Sequence, residues 1–302
     1  MSYAIEVRDL EVAYRAKNGK QVEAVQGLSF QVEPGEVVGF LGPNGAGKSS
    51  TLKSLMGFVT PKSGDCKVFG LEAGSLVAKA RIGYLPEVAM YYPFLTPLET
   101  LRLYGELQGL RGSSLKSQAK DLLALVGLEG AMSKQNRSLS KGMLQRVGIA
   151  QSLLGNPDLL ILDEVTSGLD PVGRKELREI LKAKQSEGTT LFFSSHELAE
   201  VDMLCDRILI IHKGQLLEER EMNGLKEDLR NYTVAYTGEA NLLGLASDWT
   251  EDGAFRRARF TEKADLIQAI SRIHAQGGDV VDVVSQEGSL EEYFVDRIGR
   301  AA

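Results

Sequence analysis

Eight consecutive residues, Gly42-Pro43-Asn44-Gly45-Ala46-Gly47-Lys48-Ser49, satisfy the pattern G-x-x-x-x-G-K-[ST] at every fixed position. Glycines at that spacing let the backbone wrap an anion, so that several N–H groups and a helix N-terminus converge on phosphate oxygens. Lys48 is then placed to reach the β- and γ-phosphates of a nucleotide, and Ser49 to offer its hydroxyl to a bridging Mg²⁺. Two adjacent carboxylates, Asp163 and Glu164, end the apolar run Leu159-Leu160-Ile161-Leu162. A buried strand that delivers paired acids to a sheet edge calls for a reason beyond folding. The run Thr189-Thr190-Leu191-Phe192-Phe193-Ser194-Ser195 repeats the arrangement and ends in His196, the first of only 3 histidines. Taken alone, that histidine reads as a surface or satisfied one. Ile82-Gly83-Tyr84-Leu85-Pro86-Glu87 is a third apolar run that closes on a carboxylate. Ser140 stands where an N-cap belongs, ahead of an apolar helical stretch through Leu154, and this start is a second place where an anion could meet a helix N-terminus.

The elements that must position these groups are legible around them. Glu36 to Leu41 is suited to a buried strand before the phosphate loop, and Ser50 to Met56 to a helix after it. Upstream, Ile5 to Val12 and Gln21 to Val32, the latter interrupted at Gly27, predict antiparallel strands about a polar turn at Lys17-Asn18-Gly19-Lys20. Tyr14 precedes the phosphate loop, where a sheet edge could hold an adenine against its ring. Leu98, Leu101, Tyr104 and Leu107, then Leu122, Leu123, Leu125, Val126 and Leu128, recur at helical spacing. They predict a helical subdomain, about residues 88–156, inserted between strands. The strand Arg207 to His212 and the turn Lys213-Gly214 close this α/β domain, whose span is set at residues 1–221.

Whole-chain properties bound the rest. With 302 residues, 43% hydrophobic and 25% charged, the chain has the composition of a soluble globular protein of about two domains. A net charge of −6 argues against nonspecific nucleic-acid binding as its main task. No apolar run is long enough to span a membrane, and the first residues lack the basic and apolar regions of a signal peptide. Cys66 and Cys205 form no metal or redox motif and fit a reducing compartment. The expected location is the cytoplasm.

Tyr14, the phosphate loop, Glu87, Leu139 to Met143, Asp163-Glu164 with Ser167-Gly168-Leu169-Asp170, and His196 occur in one order. In that order they resemble the ATP-binding cassette (ABC) ATPases over about residues 3–220. The resemblance implies a P-loop α/β fold with a mixed sheet core, an antiparallel β subdomain and the inserted helical subdomain. ATP would be held by Tyr14 and by Gly42, Pro43, Asn44, Gly45, Ala46, Gly47, Lys48, Ser49 and Ser50, with Glu87 and Asp163 beside them. Mg²⁺ would be held by Ser49 and Asp163, with Glu87 as a further ligand to metal or water. Glu164 matches the general base and His196 the contact to the γ-phosphate. Leu139, Ser140, Lys141, Gly142 and Met143 occupy the place of the L-S-G-G-Q signature, and Asp170 that of a loop coupling two sites across a dimer. Lys141 and Met143 depart from the usual Gly and Gln, and Glu87 from the usual Gln. Both departures look like the branch serving ABC-2-type export permeases. The partners implied are a second copy of the chain or a homologous ATPase subunit, and a separate integral membrane permease that would hold the chain at the inner face of the membrane. No nucleic acid is expected. An importer subunit is the alternative within the family. A soluble ABC ATPase acting on nucleic acid or ribosomes is the alternative outside transport, and it would usually add coiled coils, zinc cysteines or a second cassette, none of which the sequence contains.

The large apolar groups of Met90-Tyr91-Tyr92-Pro93-Phe94-Leu95 suggest a groove for a short permease helix, against the alternative that they fill the helical subdomain. Past Glu218-Glu219-Arg220-Glu221 the pattern restarts. Asn231 to Thr237, Ala254 to Phe260 and Asp279 to Val284 predict strands, and Leu266, Ile267, Ile270 and Ile273 predict a helix. Ser289-Leu290-Glu291-Glu292 has capping-box spacing and opens a final helix. Residues 222–302 are thus expected to form a small α+β accessory domain, placed like the extension of ABC-2-type ATPases, that keeps two subunits close between ATP cycles or senses a partner.

Overall fold

A computed structural model describes residues 2–15, 19–252, 255–286 and 288–301. The chain divides into two compact units, Met1–Arg220 and Glu221–Ala302. The first unit begins with β1 (Ile5–Arg15), β2 (Gln21–Val32), β3 (Val37–Leu41), α1 (Lys48–Leu55), β4 (Ser63–Val68), β5 (Leu71–Glu72), α2 (Leu76–Lys79) and β6 (Ile82–Leu85). Then come the helices α3 (Pro97–Leu107), α4 (Gly112–Leu125) and α5 (Lys141–Ser152). The chain returns to the sheet with β7 (Leu159–Asp163), α6 (Pro171–Ser186), β8 (Thr190–Ser194), α7 (Leu198–Leu204), β9 (Arg207–His212) and β10 (Gln215–Glu221).

The central sheet runs β10-β9-β3-β8-β7-β6, and its pairs β9-β3, β3-β8, β8-β7 and β7-β6 are parallel. Strands β3, β7 and β8 are buried at every residue, which is why they read as continuous apolar runs and not as alternating ones. A second, antiparallel sheet has the order β2-β1-β4-β5. Phe30 of β2 joins the two: its ring lies 5.8 Å from Phe40 of β3 and 5.5 Å from Phe192 of β8. The three helices between β6 and β7 are the insertion expected there. Thr96 and Glu99 form a reciprocal capping box at the start of α3, and buried Asn136 ties the insertion together by donating to Tyr92 O and Thr100 Oγ1.

Several boundaries differ from the sequence reading. Strand β1 continues to Arg15, so Tyr14 is a strand residue paired with Val22, while Lys17 and Asn18 of the expected turn lie outside the described residues. Strand β2 is not interrupted at Gly27; the glycine takes φ +68° and the irregular register between Leu10 and Val12 absorbs it within the ladder. Helix α1 starts at Lys48, inside the motif, because the loop's last glycine already sets the helix direction. Strand β10 was not foreseen. Lys213 (φ +48°) and Gly214 (φ +81°) form a two-residue turn of the kind that favours a hairpin.

The second unit contains α8 (Met222–Asp228), β11 (Asn231–Thr237), β12 (Asp248–Asp252), β13 (Phe255–Phe260), α9 (Lys263–Ala275), β14 (Asp279–Gln286) and α10 (Leu290–Ala301). Its sheet has the order β12-β13-β11-β14, and α9 covers one face through Leu266, Ala269 and Ile273 on Val234, Tyr236, Ala258 and Phe260. Strand β12 and helix α8 carry too little apolar periodicity to be read from sequence. Ala254 of the expected second strand lies outside the described residues. At the start of α10, Ser289 Oγ accepts from the backbone N–H of Glu291 and Glu292.

Candidate functional site

Parallel pairing places the chemistry. Because β3, β8, β7 and β6 are adjacent and parallel, the segments leaving their carboxyl ends lie side by side: the phosphate loop, Ser195-His196, Asp163-Glu164 and Pro86-Glu87. A crevice at the carboxyl edge of such a sheet is the general ligand position of α/β folds.

The phosphate loop is shaped by what its glycines permit. Gly47 has φ +112°, and a Cβ there would stand 2.4 Å from Ala24 O of β2. A Cβ on Gly42 would stand 2.4 Å from Ile211 O of β9, so the loop is pressed between two strands before it turns into α1. Lys48 is buried and donates to the loop's own carbonyls, Gly42 O at 2.6 Å and Pro43 O at 3.3 Å. Burial holds its ammonium below the usual lysine range, while Glu164, Asp163 and Glu87 pull it back up. A desolvated cation at the N-terminus of α1 is an arrangement that can receive an anion. Thr51, one turn on, donates from Oγ1 to Gly47 O. Tyr14 is 39% exposed and its hydroxyl donates to Ser50 Oγ at 3.2 Å, which leans the ring over the start of α1.

The two acids have different surroundings. Asp163 is buried, and its Oδ1 accepts from Ser194 Oγ at 2.5 Å. Glu164 has φ +51°, a left-handed conformation that side-chain-bearing residues seldom adopt and that gathers at functional sites. Its N–H donates both to Ser194 O (3.2 Å) and to Ser194 Oγ (3.1 Å), so one serine fixes both acids. The Glu164 carboxylate then turns to His196: Oε2 is in contact with Nδ1 and accepts from the His196 N–H at 3.3 Å. The imidazole itself is 61% exposed, ready to meet a ligand from solvent. On the neighbouring β6, burial and then the Asp163 charge push the Tyr84 phenol up to about 12. Glu87 is exposed and belongs to the same electrostatic field through Lys48.

Residues Leu139 to Met143 sit elsewhere on this unit. Ser140 caps α5, its Oγ accepting from Met143 N. No hydrogen bond or ion pair joins this segment to the phosphate loop among the described residues. It is tied instead to the turn that follows Glu164. Lys141 Nζ donates to Ser167 Oγ at 3.2 Å, Gln145 Nε2 to Val165 O at 2.9 Å, and a Cβ on Gly142 would stand 2.8 Å from Gly168 O. Asp170 caps α6 by accepting from Gly173 N at 2.9 Å. Ser194 and Gln145 were missed in the sequence reading. Ser194's polar side chain in an otherwise apolar strand, register-paired with Asp163, was the available signal.

Of the apolar run after Glu87, the structure makes two groups. Tyr91 turns inward, edge-on to Tyr104 at 5.9 Å, with its hydroxyl buried and unbonded; burial, and then Tyr104, raise its pKa. Met90, Tyr92 and Phe94 are exposed.

A protein-family model described as ABC transporter matches residues 25–167. The bacitracin transport ATP-binding protein BcrA of Bacillus licheniformis is 36% identical over 99% of this chain and 98% of its own length. The Nod factor export ATP-binding protein I of Cupriavidus metallidurans is 33% identical over 91% of this chain and 92% of its own length. A solved structure described as an ATP-binding subunit of an ABC transporter is 32% identical, covers 74% of this chain and 92% of that one, and has a TM-score of 0.67.

Proposed function

The chain belongs to the ABC transporter ATP-binding proteins, and from that premise we propose that it powers export through a separate membrane permease, working as an ATP-bound dimer. ATP binding and hydrolysis are the chemistry of the family. The single observation that supports placing that chemistry here is the carboxyl edge, where Lys48, Asp163, Glu164 and His196 emerge from adjacent parallel strands.

Each residue's task follows from its surroundings. The loop amides and Lys48 bind the phosphates, Lys48 exchanging its bonds to Gly42 O and Pro43 O for phosphate oxygens. Tyr14 stacks the adenine, and Ser50, already bonded to it, shares that end of the site. Ser49 and Asp163, with Glu87 alongside, are hard oxygen donors of the kind Mg²⁺ takes. Mg²⁺, when bound, offsets charge on the phosphates. Ser194 engages one oxygen of Asp163 and leaves the other free to face the ligand. Glu164 orients the attacking water and takes its proton, and His196 contacts the γ-phosphate. The contact between Glu164 and His196 keeps both side chains at the crevice until nucleotide separates them.

The exposed Ser140 and the N-terminus of α5 lack a local phosphate partner, and a second subunit's nucleotide supplies one. In that arrangement Leu139 to Met143 close over the γ-phosphate and exclude bulk water. Asp170 and the Ser167-Gly168 turn report the closure to Glu164, because Lys141 and Gly142 rest on that turn. Export is favoured over import by the relatives named for bacitracin transport and Nod factor export. The relatives named as ATP-binding proteins of transport systems support a permease carried on a separate chain, with this one against it at the cytoplasmic face of the membrane; no helix among the described residues is long and apolar enough to cross a membrane. Residues 1–221 are the catalytic domain and 222–302 an accessory domain that keeps two copies close.

Sedimentation of Glu164→Gln with ATP and Mg²⁺ tests the proposal. Hydrolysis falls about 10²–10⁴-fold while ATP binding persists and an ATP-bound dimer accumulates. Lys48→Ala loses nucleotide binding altogether. A Glu164→Gln protein that turns over normally and stays monomeric overturns the assignment.

A further inference from the structure

The sheet of the second unit has one face packed on α9 and one face open. On the open face the cross-strand rows are Asp248–Arg259–Thr233–Val284 and, two residues along, Thr250–Arg257–Ala235–Asp282. The small side chains of β11 form the floor of a trough of about 530 Å³, with the arginines of β13 as one wall and Val284 and Asp282 of β14 as the other. A cationic ridge therefore lies directly beside a groove with an acidic far wall. Among the described residues neither Arg259 nor Asp282 has an ion-pair partner, whereas Arg257 already has a contact of its own within the chain.

We propose that this face is an isologous contact surface on which a second copy of the chain packs. A two-fold axis running along the strands, between β13 and β11, lays each copy's β13 over the other's β11. The Arg257–Arg259 ridge of one copy then enters the trough of the other and reaches its Asp282, while Asp248 at the outer edge meets the partner's far side. Ridge and groove, and cation and acid, are complementary only in pairs, which is the property an isologous interface requires. Two such sheets pack about 10 Å apart, a gap that arginine side chains over Thr233 and Ala235 can fill. The inference rests on the reading of the accessory domain as the device that keeps two copies close, and it names the face that does so.

Two full-length variants test it by sedimentation without nucleotide: Arg257→Glu with Arg259→Glu, and Asp248→Lys with Asp282→Lys. The wild-type chain is expected to equilibrate between monomer and dimer. Each variant alone presents like charges to its own copy and associates roughly tenfold or more weakly. An equimolar mixture of the two restores the dimer, which a misfolded variant could not do. ATP binding is unchanged in both. A wild type that is monomeric without nucleotide removes the accessory-domain reading itself. A wild-type dimer that both variants reproduce, or a mixture that fails to recover it, removes this face and leaves that reading standing.

Discussion

Ser194→Ala deletes one oxygen from the middle of the site. The residue is fully buried, donates to Asp163 Oδ1 at 2.5 Å and accepts from the Glu164 N–H at 3.1 Å. The two bonds are not of equal weight. Glu164 N–H keeps its second acceptor, Ser194 O at 3.2 Å, so the strained backbone at φ +51° remains tethered. Asp163, itself buried, loses a charge-assisted bond worth about 1.5–3 kcal/mol. If that bond serves to aim the carboxylate, the loss passes to the transition state as roughly a ten- to hundredfold fall in kcat, at about 1.4 kcal/mol per tenfold. The assay is steady-state ATPase turnover over a Mg²⁺ titration, with ATP affinity measured separately by equilibrium binding. The expected pattern is a lower kcat, a higher Mg²⁺ requirement and near-normal nucleotide affinity, since Lys48 and the loop amides are untouched. Ser194→Thr, which restores the hydroxyl, recovers part of the turnover. A Ser194→Ala protein within twofold of the wild-type kcat, with the same Mg²⁺ dependence, refutes the idea that this serine positions the acids.

Gly142→Ala places a methyl 2.8 Å from Gly168 O; the Ser167-Gly168 turn has to move, and ATPase activity falls about tenfold while ATP binding is retained, as paired turnover and binding measurements would show. Phe94→Ser, at an exposed ring, leaves ATPase activity and thermal stability intact and lowers transport in membranes, whereas Tyr91→Ser, at a half-buried ring whose hydroxyl is enclosed against Tyr104, costs about 2–4 kcal/mol of stability by denaturant unfolding. Cys66 is expected to resist alkylation, because burial pushes its thiol up to about 11 from 9.0. At pH 8 its thiolate is then about a hundredfold scarcer than in the unfolded chain, and iodoacetamide labelling followed by mass spectrometry reads the ratio.

The groups gathered at the carboxyl edge of the sheet were largely legible in the sequence because each is fixed by local rules. A phosphate loop needs its glycines at set intervals. Buried parallel strands announce themselves as unbroken apolar runs, and acids or a histidine at the end of such runs mark one edge of a sheet. Arg207 to His212 was readable to the residue for the same reason, and Asn231 to Thr237 by the alternation of a half-buried antiparallel strand. Pairing was not readable, because hydrogen bonds between strands depend on residues far apart in the chain. Only the order β3-β8-β7-β6 brings the four edge segments together, and only the β7–β8 register sets Ser194 against Asp163. The same limit hid Gly142 against Gly168, where a backbone contact leaves no trace beyond the absence of a side chain. It also hid the division of the apolar run after Glu87, since Tyr91 and Phe94 are alike in composition and differ in the side each presents to the helices. In the second unit, the sequence marked β13 as a strand, and the structure turns Ala258 and Phe260 to the core. The strand's other face became a ridge beside a trough only when β11 and β14 were laid next to it, a fact of tertiary structure that no single strand contains.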